Sequence, residues 1–127
     1  MILPVVAIAP SPNRGRGVFA TEDLSAGMVI EISPVIVLTA KERKIVEQTK
    51  LFNYLFEWGK NRKMACVALG YVSVYNHDYA SNCEYDMDYE ERTITIKTVK
   101  PVKRGEELFV NYNAEPENKT RVWFDKK

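Results

Sequence analysis

Gly15-Arg16-Gly17-Val18-Phe19-Ala20 and, shortly after it, Ala26-Gly27-Met28-Val29-Ile30-Glu31 set the character of this chain. Each is a glycine turn that feeds a short apolar run. The turn-rich stretch Pro10-Ser11-Pro12-Asn13-Arg14-Gly15 leads into Gly17 to Thr21, and Ser25-Ala26-Gly27 leads into Met28 to Ile32. Short runs bounded by Gly and Pro read as strands. The Gly-x-Gly turn also lets a backbone approach a ligand closely and offers N–H groups to an anion. A plain β-turn accounts for the same residues. A dinucleotide fingerprint does not fit, because the third glycine is missing and no helix follows.

The same reading extends along the chain. Leu3 to Ala9 is an opening strand, and Val35 to Leu38 is another, set off by Pro34. Thr39-Ala40-Lys41-Glu42 is a capping box and predicts a helix start, with Ile45 and Leu51 as a thin apolar edge. Phe52 to Trp58 and Met64 to Leu69 read as strands around Gly59-Lys60-Asn61-Arg62. Glu84 to Tyr89 and Thr93 to Val99 alternate with period two around Glu90-Glu91, which predicts a hairpin. Pro101 to Gly105 is a turn into Glu107 to Tyr112. The expected class is mostly β, with many short strands and one or two short helices.

A chain of 127 residues, 46% apolar and 28% charged, fits one globular domain able to bury a core without metal or disulfide staples. The formal charge of +1 excludes a general polyanion binder, which needs a basic surplus. Two cysteines, Cys66 and Cys83, are too few for a zinc cluster or a disulfide framework, and a single disulfide stays open. The apolar start Met1 to Ile8 is too short to span a bilayer and lacks the basic start of a signal peptide, so a soluble, cytoplasmic protein is expected, or a nuclear one in a eukaryote. Asp78, Glu84, Asp86, Asp88, Glu90 and Glu91 gather acid without an intervening base. They are either a solvated hairpin face or a surface that steers a basic peptide.

Two further segments carry chemistry. Tyr75-Asn76-His77-Asp78, followed by Ser81-Asn82-Cys83, holds the only histidine of the chain. A lone histidine is commonly structural, and His77 has no partners for a metal site. No Gly-x-Ser-x-Gly elbow supports a hydrolase triad. The other segment is Lys103-Arg104-Gly105-Glu106-Glu107-Leu108-Phe109-Val110-Asn111-Tyr112. Alone it reads as a turn and an edge strand, with Tyr112 packing its ring in the core.

Taken in order, the motifs resemble the SET domain family of S-adenosylmethionine-dependent protein-lysine methyltransferases. Gly15 to Ala20 is similar to the family's first motif, and Ala26 to Glu31 to the stretch that follows it. Asn76-His77, with Asn82 five residues past the histidine, is similar to the third motif, and Glu107-Leu108 to Tyr112 to the fourth. The resemblance covers about residues 3 to 113 as one domain over 1–127, with 114–127 as a flanking tail. It implies a β-clip fold of small sheets with a pseudoknot-like crossing at the active site.

What the resemblance implies about the site is specific. Arg16 and Gly17 would touch the methionine part of S-adenosylmethionine through the backbone, and Asn76 and His77 would bind its amine and adenine. Tyr112 would be the active-site tyrosine, also next to the cofactor. The tail with Trp123 and Phe124 either closes the site as an apolar lid or simply docks on the domain. A narrow channel would admit the target lysine, with Tyr54, Tyr75 and Val110 among its wall candidates and Phe56, Trp58 and Tyr71 also available. Each of these aromatics is a core candidate before it is a channel wall. The partner implied is a lysine-bearing protein or peptide, basic by the acidic hairpin, with no metal, nucleic acid or membrane, and the chain a monomer or homodimer.

The sequence also departs from the family. Asp78 and Tyr79 stand where a Ser and a Cys are usual, Ser81 where Pro is usual, and Val110 where many members carry Phe or Tyr. The last leaves the number of methyl groups open. The flanking Cys-rich zinc modules are missing. Two other readings remain, a non-catalytic SET module that binds a peptide and a β-clip relative of another class. Neither explains why Asn76, His77 and Tyr112 occur together.

Overall fold

The computed structural model describes residues 1–12 and 14–111. Among these residues, nine strands and one α-helix follow in the order β1 (Val6–Ser11), β2 (Gly15–Ala20), β3 (Val29–Leu38), α1 (Ala40–Val46), β4 (Leu55–Trp58), β5 (Met64–Ala68), β6 (Asn76–His77), β7 (Cys83–Asp88), β8 (Thr93–Thr98) and β9 (Glu107–Val110). Two short 3-10 turns, Lys50–Tyr54 and Val72–Val74, complete the set. The class is the mostly-β one expected, and α1 starts on the reciprocal capping box of Thr39 and Glu42.

The strands join in the order β1-β2-β9-β7-β8-β3-β5-β4, with β6 added to β9. β1 and β2 form a hairpin in which Ser11 faces Gly15. Gly15 takes φ +74 there, with open space around it, so its glycine is a requirement of the turn. β7 and β8 form the hairpin read from their alternation. Its turn is fixed by Asp88, whose Oδ1 accepts from the Glu90 and Glu91 N–H groups.

β3 differs from the reading of two runs broken at Pro34. It is one ten-residue strand that changes partner, pairing with β8 over Val29 to Pro34 and with β5 over Val35 to Leu38. Pro34 stands at the changeover, where its missing N–H costs no ladder bond and its carbonyl accepts from Leu69 N–H at 3.0 Å. The run expected as a strand from Phe52 begins instead as a 3-10 turn, capped by the Thr49 side chain, and turns into strand only at Leu55.

The core lies along the inner faces of β2, β3, β5, β7, β8 and β9, with Val18, Ile30, Cys66, Cys83, Ile94, Ile96 and Leu108 fully buried. Helix α1 buries none of its residues. Arg43 ties it to the sheet, donating to the carbonyls of Arg62 (2.8 Å) and Met64 (3.2 Å) and pairing with Glu57 (3.2 Å). That replaces the apolar edge expected from Ile45, which is exposed.

Both cysteines are free. Burial pushes each thiol up to about 12 from its ordinary value near 9. Neither thiol is expected to react with a thiol reagent at about pH 9 in the native protein, and both should react in urea. Between about 9 and about 12 the unfolded chain releases these protons while the native chain keeps them. Their contribution to stability is therefore present below about pH 9 and lost as pH rises through that window. Urea titrations at a pH series check the sign.

Candidate functional site

The last strand among the described residues, β9, is the joint. β9 pairs antiparallel with β2 on one side and parallel with β6 and β7 on the other. Three segments far apart in sequence therefore meet on four residues. His77 and Cys83 both register with Val110, so the chain between them arches out and back over the strand end. Side chains of that arch fasten it down. Asn82 brackets β9, donating from Nδ2 to the Glu107 carbonyl (2.9 Å) and accepting at Oδ1 from Phe109 N–H (2.8 Å). Asp78 N–H donates to the Val110 carbonyl (3.1 Å), and Asp78 Oδ1 accepts from Ala80 N–H (2.9 Å). Asn111, itself buried, donates to the Tyr79 carbonyl (3.3 Å). The ring of His77 stands edge-on to that of Tyr79, with centroids 4.3 Å apart.

Asn76 is the hub. Its Nδ2 donates to the Arg16 carbonyl (2.9 Å) and to Glu107 Oε2 (2.8 Å). Glu107 Oε1 accepts in turn from Ser11 Oγ (2.6 Å). An ionised carboxylate only accepts, so Glu107 forces the NH2 end of the Asn76 amide toward itself. That leaves Asn76 Oδ1 as an acceptor beside a carboxylate. Gly17 makes this packing possible, because a Cβ there would strike the Glu107 carboxylate and stand 2.9 Å from Asn76 Nδ2. The space of the absent side chain is thus filled by Glu107 and Asn76, and in these contacts Gly17 serves the packing of the site's own side chains. Arg14 lies over the Phe109 ring at 5.0 Å, a cation–π contact on the same strand.

The structure brings Arg16, Gly17 and Asn76 together, joined to Glu107, whereas His77 follows on β6 with its ring against Tyr79. It does not gather the three channel candidates in one environment. Tyr75 is wholly buried, with its hydroxyl donating to Glu31 Oε1 at 3.1 Å, and Val110 is buried as well. Burial, and then the Glu31 carboxylate, hold the Tyr75 phenol well above its ordinary pKa. Tyr54 is about half exposed at the end of the first 3-10 turn. Tyr112 and Trp123 lie outside the described residues. Ser81, where the family has Pro, is fully buried, and its hydroxyl finds no hydrogen-bond partner among the described residues. A buried orphan of that kind costs about 1–3 kcal/mol, which a ring without a polar atom avoids.

Sequence reasoning did not reach the roles of Ser11, Glu31 and the bracket made by Asn82. Glu31 had a signal: a carboxylate between Ile30 and Ile32, in a strand that needs an apolar face. Ser11 had none, since it meets Glu107 only through the pairing of β1, β2 and β9.

The comparisons agree with this geometry. The model of the SET domain family matches residues 15–113. A histone-lysine N-methyltransferase of Schizosaccharomyces pombe, specific for H3 lysine-37, is 32% identical over 130 residues, covering 98% of this chain and 83% of that protein. A crystal structure of a Plasmodium falciparum protein superposes with a TM-score of 0.68 at 22% identity, over 97% of this chain and 99% of that one. The Polycomb Repressive Complex 2 of Chaetomium thermophilum, in an autoinhibited conformation bound to S-adenosylmethionine, gives 0.73 at 25% identity, covering 90% of this chain but 16% of that longer one. Motifs that meet on β9, a family model that spans most of the length and a relative matched nearly end to end lead to one assignment: the chain belongs to the SET domain family.

Proposed function

We propose that this chain is a protein-lysine N-methyltransferase that takes its methyl group from S-adenosylmethionine, acting as one domain over 1–127. The observation that carries the reading is the Asn76 hub, which ties the Gly-x-Gly hairpin, the Asn-His segment and the Glu107 strand into one constellation. The donor set fits the cofactor. Asn76 Oδ1 is an acceptor for an ammonium group, and Glu107 beside it favours a cation. S-adenosylmethionine supplies a methyl group on a sulfonium, open to in-line displacement.

The rest is work for the protein. Asn76 and His77 would hold the cofactor, the Arg16 and Gly17 backbone would meet its methionine part, and Trp123 would close the site from the tail. A lysine has a pKa of about 10.4, so at pH 7 only about four in ten thousand are neutral, a cost of about 4.6 kcal/mol. An aromatic-walled channel desolvates the ammonium and lowers that pKa. Tyr112, carried over by motif, orients the amine, and Val110 bears on how many methyl groups are accepted. Tyr54, half exposed, is the aromatic wall candidate, whereas Tyr75 is buried in the core against Glu31. Bringing amine and methyl into line is the largest single effect.

A basic substrate suits the acidic β7–β8 hairpin, where Asp86, Asp88, Glu90 and Glu91 are exposed. The S. pombe relative is a histone enzyme. A histone-type tail is therefore the proposed substrate class and the nucleus the proposed compartment, in place of the cytoplasm expected first. Among the described residues no helix is long and apolar enough to cross a membrane.

Calorimetric titration with S-adenosylmethionine tests the cofactor assignment. Wild type should bind, and His77→Ala should bind about tenfold more weakly, as expected for the loss of one good contact. Equal affinity would make His77 structural. Tyr112→Phe should leave the unfolding midpoint unchanged and slow methyl transfer to histone H3 by more than about tenfold, the scale of a misaligned reacting pair. A variant as fast as wild type would remove Tyr112 from the mechanism.

A further inference from the structure

Glu31 is fully buried, yet its hydrogen-bond donors among the described residues are all neutral. Oε2 accepts from Ser33 Oγ (2.7 Å) and from Tyr71 N–H (2.7 Å), and Oε1 accepts from Tyr75 Oη (3.1 Å). Taking a carboxylate out of water is expensive, and a well-packed apolar residue in its place is often neutral or stabilising. Stability alone is a poor reason for this residue. The position of its donors gives a better one. Two of the three belong to the segment 71–75, whose regular structure is a three-residue 3-10 turn, with Val74 N–H donating to the Tyr71 carbonyl (2.8 Å).

The next residue along is Asn76. Its amide must meet the Arg16 carbonyl and Glu107 together, at 2.9 and 2.8 Å. A short turn with little ladder of its own does not deliver a side chain that accurately unless something grips it at both ends. Glu31 grips Tyr71 at one end and Tyr75 at the other. The approach is close: Gly70 takes φ +70, and a Cβ there would strike both the Glu31 carboxylate and Ser33 Oγ. The strand that offers the carboxylate, β3, is held at Glu31 by β8 through Ile96 and by the bridge to Ile2, so the grip has an anchored base.

We propose that Glu31 is a positioning residue, whose buried carboxylate clamps the 70–75 turn so that Asn76 and His77 are presented in binding geometry. This rests on the reading that Asn76 and His77 hold the cofactor. It also gives Tyr75 a role in which the hydroxyl closes the clamp and the ring packs in the core.

Tyr75→Phe opens one jaw with little change of volume. Ser33→Ala is the matched control, since it removes a bond to the same carboxylate but none to the turn. Both should lower the unfolding midpoint similarly. The S-adenosylmethionine Kd should rise at least about fivefold in Tyr75→Phe and stay within about twofold in Ser33→Ala. Amide exchange at Asn76 and His77 should quicken at least about tenfold in Tyr75→Phe alone. Glu31→Leu, if it folds, should show the larger form of both effects. Equal Kd and equal exchange in the two single variants would overturn the clamp. Should wild type bind no S-adenosylmethionine, the cofactor reading falls, and exchange at 76 and 77 then decides the clamp: unchanged rates overturn it, and faster rates in Tyr75→Phe alone uphold it.

Discussion

Gly70→Ala is expected to lower the unfolding free energy by about 2–4 kcal/mol, summing a left-handed backbone that a Cβ makes costly, about 1–2 kcal/mol, and an overlap costing about as much again. The φ of +70 is set by the chain's path from β5 into the 3-10 turn. The overlap is with the Glu31 carboxylate and Ser33 Oγ. A flexible side-chain end usually gives way cheaply. Here it does not, because the carboxylate is buried and bound by three donors, so moving it breaks charge-assisted bonds. Urea unfolding with an unchanged m-value is the measurement. A loss below about 1 kcal/mol would mean that the carboxylate yields, and would weaken the clamp with it.

Gly17→Ala should lower stability and be severe for the site. The backbone at Gly17 does not have a positive φ, so the penalty comes from contact alone. The new Cβ must displace the Glu107 carboxylate and press on the Asn76 amide, breaking the hub. The bonds that Glu107 accepts from Asn76 and Ser11, at about 1.5 kcal/mol each, are the stability at stake, and an Asn76 amide turned from its place should weaken S-adenosylmethionine binding by about tenfold or more. A double-mutant cycle separates this from a direct clash with cofactor. If the collision with Glu107 is the cause, Gly17→Ala combined with Glu107→Ala binds no worse than Glu107→Ala alone. If the double variant is worse by the full factor, the methyl group meets the cofactor itself, and Gly17 acts by letting the backbone approach the ligand.

Much of the fold was legible because local physics decided it. The Thr39–Glu42 capping box needs only four residues in a row, and it formed as read. The β7–β8 alternation needs only a pleat with one face inside, and it formed as read. Pro34 misled because a missing N–H breaks a strand only where a partner needs it, and β3 changes partner at that point. The helix edge of Ile45 misled because attachment came from the reach of Arg43 into the sheet, which no periodicity encodes.

The site divides the same way. The motif residues Gly17, Asn76, His77 and Glu107 carried a recognisable order along the chain, and order is a property of sequence. Their partners carried none. Ser11 reaches Glu107 across 96 positions, and Glu31 reaches Tyr75 across 44. Tyr75 shows the limit most plainly. As an aromatic beside Asn76 it suited a channel wall, and only its burial and its bond to Glu31 make it part of the core. By itself the sequence determined the mostly-β class, the helix start, the hairpins and the family, because these rest on short-range periodicity, turn chemistry and motif order. Only the tertiary structure decided which carboxylate faces which donor, because that depends on register and closure between strands that meet through space.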